Sequence, residues 1–123
     1  MRCLTVVSVI AAFTLYASCA LASPMPRHWH APRWFLKAAL CIHSREGAWT
    51  DNTGNSYFGG GQMLRSTWLR AGGGWYAAFD HPGDRRYPFT ASPREQLYRM
   101  WVIYLLDRRS FREWGTASAC GLE

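Results

Sequence analysis

At 123 residues and a net charge of +6, the chain has room for one small domain, and its charge is carried by arginine, which outnumbers lysine 13 to 1. A basic balance attracts acidic polymers such as cell walls, membranes and nucleic acid, and is equally compatible with a plain arginine-rich solvated surface. No basic repeat, zinc-ligand spacing or nucleic-acid module occurs, which excludes nucleic acid as a partner, and no internal repeat or low-complexity segment appears.

In chain order, residues 1–22 read as an export signal. Arg2 supplies the positive start, residues 6–15 the apolar stretch, and Ala20-Leu21-Ala22 a small-residue cleavage site before Ser23. The apolar run is short and broken by Ser and Thr, so stable membrane insertion is not expected. A retained anchor and a lipoprotein built on Cys19 are the alternatives, although Tyr16 stands where the latter expects a branched aliphatic residue. Cleavage after Ala22 makes the protein secreted or wall-associated. It removes Cys3 and Cys19 and leaves Cys41 and Cys120 to form one disulfide in an oxidising compartment. A loop of roughly 80 residues closed this way is worth at most about 4.5 kcal/mol.

Residues 23–31, rich in Pro and His, form a loose lead, and residues 32–123 form the domain. Pro32 suits the first turn of a helix whose apolar face carries Trp34, Phe35, Ala38, Cys41 and Ile42, with Gly47 as its stop. Residues 50–61 are dense in turn formers and read as a loop or small hairpin. Residues 62–70 predict a short helix with Met63 and Trp68 inward, ended by Gly72-Gly73-Gly74. Residues 80–88 are a polar turn or insertion. Ser92-Pro93-Arg94-Glu95 is a capping box opening a helix to about Arg108, with Leu97, Met100, Trp101, Tyr104 and Leu105 as its core stripe. The tail, residues 111–123, brings Cys120 back to the first helix.

Glu46, at the end of the first helix, is the candidate catalytic acid. The negative pole of the helix and the aromatic loop beyond it favour the protonated state, which can donate to a glycosidic oxygen. His43, one turn earlier, is a structural histidine or a group that orients the carboxyl. Cys41 lies about 140° around the helix from Glu46, so a bridge to Cys120 grips the opposite face. His28, His30, His43 and His81 lack metal-ligand spacing, and no metal or other cofactor is expected. Two-carboxylate hydrolysis needs a second acid, for which Asp51, Asp80 and Asp84 are poor candidates; Asp51 reads as a loop cap. A single acid that first donates and then accepts a proton fits better.

Residues 52–63, NTGNSYFGGGQM, followed by Ser66-Thr67-Trp68, resemble the NTGNGYYGGLQF and STW signature of resuscitation-promoting factors and related actinobacterial transglycosylase-like domains. Residues 91–96 and 114–120 are similar too. The resemblance implies an α+β, mostly helical, small lysozyme-like domain with a short hairpin beside the cleft and one disulfide. It also implies cleavage of the β-1,4 bond between N-acetylmuramic acid and N-acetylglucosamine in peptidoglycan, with formation of a 1,6-anhydro product. By position it makes Glu46 the acid/base, Tyr57, Gln62 and Thr67 substrate contacts, and Cys41 with Cys120 the bridge. Trp49 and Trp68 match as packing residues, and Asn52 and Asn55 as loop-shaping ones. In the family the catalytic glutamate directly follows the cysteine, where this chain has Ile42; relatives with a CIHxxEGxW arrangement are closer. Gly61 replaces the usual apolar residue before the glutamine, and residues 80–88 are inserted. The expected protein is a monomer acting on peptidoglycan strands, with a cell-wall peptidase as a further partner. A hydrolytic lysozyme, a non-catalytic wall-binding module and a membrane-perturbing cationic protein are the alternatives.

Overall fold

The computed structural model describes residues 23–79 and 82–122. The expected export signal, with Cys3 and Cys19, and the candidates Asp80 and His81 lie outside the described residues.

Helix α1, Arg33–Glu46, follows Pro32, whose extended backbone cannot continue a helix backwards, and buries Phe35, Ala38, Ala39 and Ile42. Trp34, expected on the inward face, is 54% exposed. Phe35 takes the core position, and at 100° per residue its neighbour must turn aside. Trp34 lies edge-on against Trp101 and Tyr104 at the rim of the core.

Strands β1, Tyr57–Phe58, and β2, Met63–Leu64, pair antiparallel, with Tyr57 opposite Leu64 and Phe58 opposite Met63. Helix α2, Arg65–Arg70, is thus shorter than the helix expected over residues 62–70. Gln62 has a positive φ of 43° and Met63-Leu64 are already committed to the hairpin. Gly72, at φ 78°, stops α2, but Gly73-Gly74 open a second short helix, α3, Gly73–Tyr76, instead of closing the first. Gly73 is packed so closely under the Trp68 indole that a Cβ there would collide with it.

After a 3-10 turn at Pro88–Thr90 comes helix α4, Pro93–Leu106. Ser92 Oγ accepts the Glu95 N–H at 3.1 Å, one half of the expected capping box. The Glu95 carboxylate does not reach back; it accepts from Arg99 Nε and Nη2 at 2.8 and 2.6 Å. The buried face of α4 is Glu95, Gln96, Tyr98, Arg99, Met100, Val102 and Ile103. Of the expected stripe only Met100 is fully enclosed, while Leu97, Trp101, Tyr104 and Leu105 are partly covered. Leu97, Trp101 and Tyr104 pack against the core from its edge, and the buried face extends beyond the stripe because three polar residues share the interior, which hydrophobic periodicity assigns to the outside. Arg99 is satisfied there by Glu95, by the Ala71 carbonyl at 2.9 Å and by the Ser23 carbonyl at 3.0 Å.

A last 3-10 turn, Ser118–Cys120, brings Cys120 to Cys41, with the two Cα atoms 6.0 Å apart and a separation of 79 positions in sequence. The result is the mostly helical α+β arrangement, with one short hairpin and one disulfide, expected of a small lysozyme-like domain. No helix among the described residues is long and apolar enough to cross a membrane. Because the bridge closes most of the chain, replacing both cysteines by serine should lower the unfolding free energy by about 3 kcal/mol. Urea denaturation of the double variant and of the wild type, with and without reductant, checks this.

Candidate functional site

The site is organised by what happens after α1 ends. The Gly47 N–H closes the last turn on the His43 carbonyl at 3.2 Å. The chain then folds back, with Asp51 Oδ2 accepting the Ala48 N–H at 3.0 Å and the Asp51 N–H bonding the Ala48 carbonyl at 3.1 Å. Asp51 therefore caps this loop. A Cβ at residue 47 would run into its carboxylate, so the position demands glycine. Glu46 is left half-buried at the helix end, where its Oε1 accepts the Thr116 hydroxyl at 2.6 Å.

The three glycines between the strands are fixed by three different parts of the chain. The Gly59 carbonyl accepts the Gln62 N–H at 3.1 Å and the Gln62 side-chain amide at 3.0 Å. Gly60 donates its N–H to Gln96 Oε1 on α4 at 3.0 Å, and its carbonyl lies 2.9 Å from His43 Nδ1 on α1. A carbonyl only accepts, so Nδ1 carries the proton. The Gly61 carbonyl accepts the Trp114 indole N–H at 2.8 Å. Close approach is what these contacts require: a Cβ at residue 60 would strike the Trp49 and His43 rings, which stack on each other 3.9 Å apart. Gly61 also has a local reason. A Cβ there would sit 3.2 Å from Met100 Sδ, so a side chain at this position would press on Met100.

The Gln62 carboxamide comes close to Gly47, the residue after Glu46: a Cβ on residue 47 would lie 3.4 Å from Gln62 Nε2. Tyr57 stands on the open hairpin with its ring 46% exposed. Thr67 is only 7% exposed, and its hydroxyl points at Glu113 Oε2 3.5 Å away. His43 holds Gly60 and Trp49. The C-terminal segment that carries Cys120 does not stay behind α1, because Thr116 reaches the acid itself. Thr116 and Gln96 were missed as site residues. A signal for Thr116 was present: Cys41 precedes Glu46 by five residues and Thr116 precedes Cys120 by four, so the expected bridge already brought the hydroxyl near the carboxylate.

No cluster of three or more His, Cys, Asp or Glu able to hold a metal occurs among the described residues. A groove of about 480 Å³ opens elsewhere on the hairpin, between Phe58, Leu64, Arg65 and Tyr87; neither Glu46 nor Gln62 lines it.

Comparison with known proteins finds one similarity of this kind. The chain is 27% identical over 113 residues to the resuscitation-promoting factor Rpf of Micrococcus luteus, an alignment covering 92% of this chain and 43% of that protein. The chain is thus Rpf-like along nearly its whole length, while spanning less than half the length of that relative. No protein-family model matches it, and no solved structure does.

The geometry rests on the Gln96 amide, which also donates to the Trp49 and Ala91 carbonyls at 2.9 and 3.0 Å. Gln96→Ala leaves one N–H and two carbonyls without their partner, and should cost about 3 kcal/mol. In a domain of this size that is a fall in melting temperature of about 15 °C. Tyr57→Ala, on the exposed hairpin, should change stability by under about 0.5 kcal/mol. Thermal melts of the two variants make the comparison.

Proposed function

We propose that the protein is a secreted peptidoglycan-cleaving enzyme acting on the β-1,4 bond between N-acetylmuramic acid and N-acetylglucosamine, a lytic transglycosylase whose acid and base is Glu46. One observation carries this reading. Among the described residues, the other carboxylates are all committed to structure: Asp51 to the loop after α1, Asp84 to Arg86, Glu95 to Arg99, Asp107 to Arg70 and Arg112, and Glu113 to Arg70. Glu46 makes no ion pair among the described residues, and its hydrogen bond comes from a neutral hydroxyl. A carboxyl group held that way can carry a proton or lose it without breaking a salt bridge.

In the proposed reaction the protonated Glu46 gives its proton to the glycosidic oxygen as the bond to the muramic acid anomeric carbon breaks. The glucosamine unit leaves as an alcohol. The resulting Glu46 carboxylate takes the proton from the muramic acid C6 hydroxyl, whose oxygen bonds to the anomeric carbon and closes the 1,6-anhydro ring. No water enters, and Glu46 ends protonated as it began. Asp51 is committed to capping the loop, and among the described residues no other carboxylate is left uncommitted to activate water or trap the sugar, which favours this route over two-carboxylate hydrolysis. Thr116 orients the carboxyl. Tyr57 offers an exposed ring for a sugar face, and Gln62 places a carboxamide close to Gly47, next in sequence to the acid. Thr67 as a contact rests on the motif resemblance alone. Likeness to a resuscitation-promoting factor supports a wall-directed role, and the segment before Ser23 supports export.

Purified peptidoglycan digested with the wild type should release 1,6-anhydro muropeptides, detected by mass spectrometry, and Glu46→Gln should reduce the rate by about 1000-fold. Equal, negligible release by both proteins would reduce the reading to a wall-binding module. Reducing ends without anhydro sugar would replace the transglycosylase by a lysozyme. Thr116→Val removes a bond made to the acid rather than to the glycan, so kcat should fall about tenfold with KM little changed.

A further inference from the structure

The groove on the hairpin is set apart from Glu46 by its lining. Its walls are Phe58, Leu64 and Tyr87; its polar groups are Arg65 and the hydroxyl-bearing Ser56 and Ser66. Phe58 and Tyr87 pack ring against ring 4.6 Å apart, so the strand and the inserted segment together build one aromatic wall. At about 480 Å³ the groove is of the size that holds a small molecule or a few residues of peptide.

One arginine, Arg65, lines the groove, and Arg85 and Arg86 precede its wall residue Tyr87 in sequence. Arg85 is used by the fold, donating to the Ala77 carbonyl at 3.0 Å and lying over the Phe79 ring. Arg86 grips Asp84 through both carboxylate oxygens, and these bonds hold the Asp84 carboxyl down at about 2. Arg65 is exposed, lies 5.9 Å from the centre of the Tyr87 ring, and makes no ion pair among the described residues. Asp84 acts on Arg65 through space but gives its hydrogen bonds to Arg86. The groove therefore presents one unpaired guanidinium against an aromatic wall.

That chemistry discriminates between occupants. A hexose needs several hydrogen-bonding partners for its hydroxyls, and this groove has no carboxamide and no carboxylate. A polyphosphate needs several free cations, and one arginine lines this groove. A purely apolar segment would desolvate the guanidinium without compensation. A ligand with one well-placed carboxylate beside small aliphatic groups satisfies every surface, since guanidinium pairs with carboxylate by two parallel hydrogen bonds.

We propose that this groove binds the peptide stem of peptidoglycan, with Arg65 pairing a stem carboxylate and Tyr87 and Phe58 covering its aliphatic part. The proposal rests on the peptidoglycan reading above for the choice of ligand, but not on catalysis by Glu46. Arg65 and Tyr87 then set which strands are accepted, favouring glycan that still carries stems.

The test is a calorimetric titration of a synthetic stem tetrapeptide (L-Ala, D-isoglutamate, a diamino acid, D-Ala) into the full chain. Saturable binding is expected in the wild type and in Glu46→Gln. Arg65→Gln should weaken it at least tenfold at an unchanged melting temperature, Tyr87→Ala should weaken it too, and amidating the peptide carboxylates should reproduce the Arg65→Gln loss. No binding to the wild type, or equal affinity in Arg65→Gln, overturns the proposal. So does tighter binding of a glycerol-phosphate oligomer than of the peptide. The two readings fail separately: an inactive protein that binds the tetrapeptide through Arg65 keeps this site and loses the enzyme, and a protein that digests the wall without binding the tetrapeptide does the reverse.

Discussion

One buried carboxamide holds the site region to the core. Gln96 has no exposed surface, and its side chain accepts from Gly60 while donating to Trp49 and Ala91. The loops after α1 and around the glycines have little secondary structure of their own, so their buried backbone groups need partners from elsewhere. A carboxamide is the neutral side chain that offers both an acceptor and two donors in one plane. A leucine of similar size would fill the space and leave those backbone groups unpaired. Because Gln96 stands on the central helix α4, the loop around Glu46 is positioned from the middle of the molecule.

The C-terminal segment supplies the second restraint, and it acts at three points close together in sequence. Trp114 holds the Gly61 carbonyl, Thr116 the Glu46 carboxyl, and Cys120 is bonded to Cys41. Each contact lies on a different part of the site: the glycine loop, the acid and the helix that carries the acid. A disulfide alone would fix two Cα atoms. With the indole and the hydroxyl added, α1 cannot rotate or slide against the loop without breaking hydrogen bonds, so the Glu46 carboxyl is held in one position.

The parts of this arrangement that could be read from sequence are those with a local rule. The span of α1 between Pro32 and Gly47, the hairpin in the turn-rich stretch, the Ser92 cap and the pairing of the two remaining cysteines all follow from residue types at fixed spacing. Asp51 as a loop cap follows the same way. What could not be read depends on which distant residue arrives. Nothing local shows that Gln96 and Arg99 turn inward, because they reach Ser23, Trp49, Gly60, Ala71 and Ala91, and Glu95 goes in as the partner of Arg99. The shortened α2 is of the same kind. Residues 62–64 carry a fair helical pattern, and pairing with Tyr57 and Phe58 overrides it.

The preference for arginine over lysine gains a physical reason from the same contacts. In the lead and the loops, guanidinium groups fasten irregular backbone: Arg94 donates to the Arg27 and Trp29 carbonyls, Arg85 to those of Gly74 and Ala77, Arg99 to those of Ser23 and Ala71. A planar fork with five N–H donors can bridge two carbonyls at once, which a single ammonium does poorly because it is more strongly hydrated and less directional. Much of the basic charge is therefore structural in origin and only secondarily an attraction for acidic polymers. The net charge of +6 describes how the protein meets an anionic surface from a distance. At close range, selectivity depends on which guanidinium groups remain free, and at the hairpin groove that is Arg65.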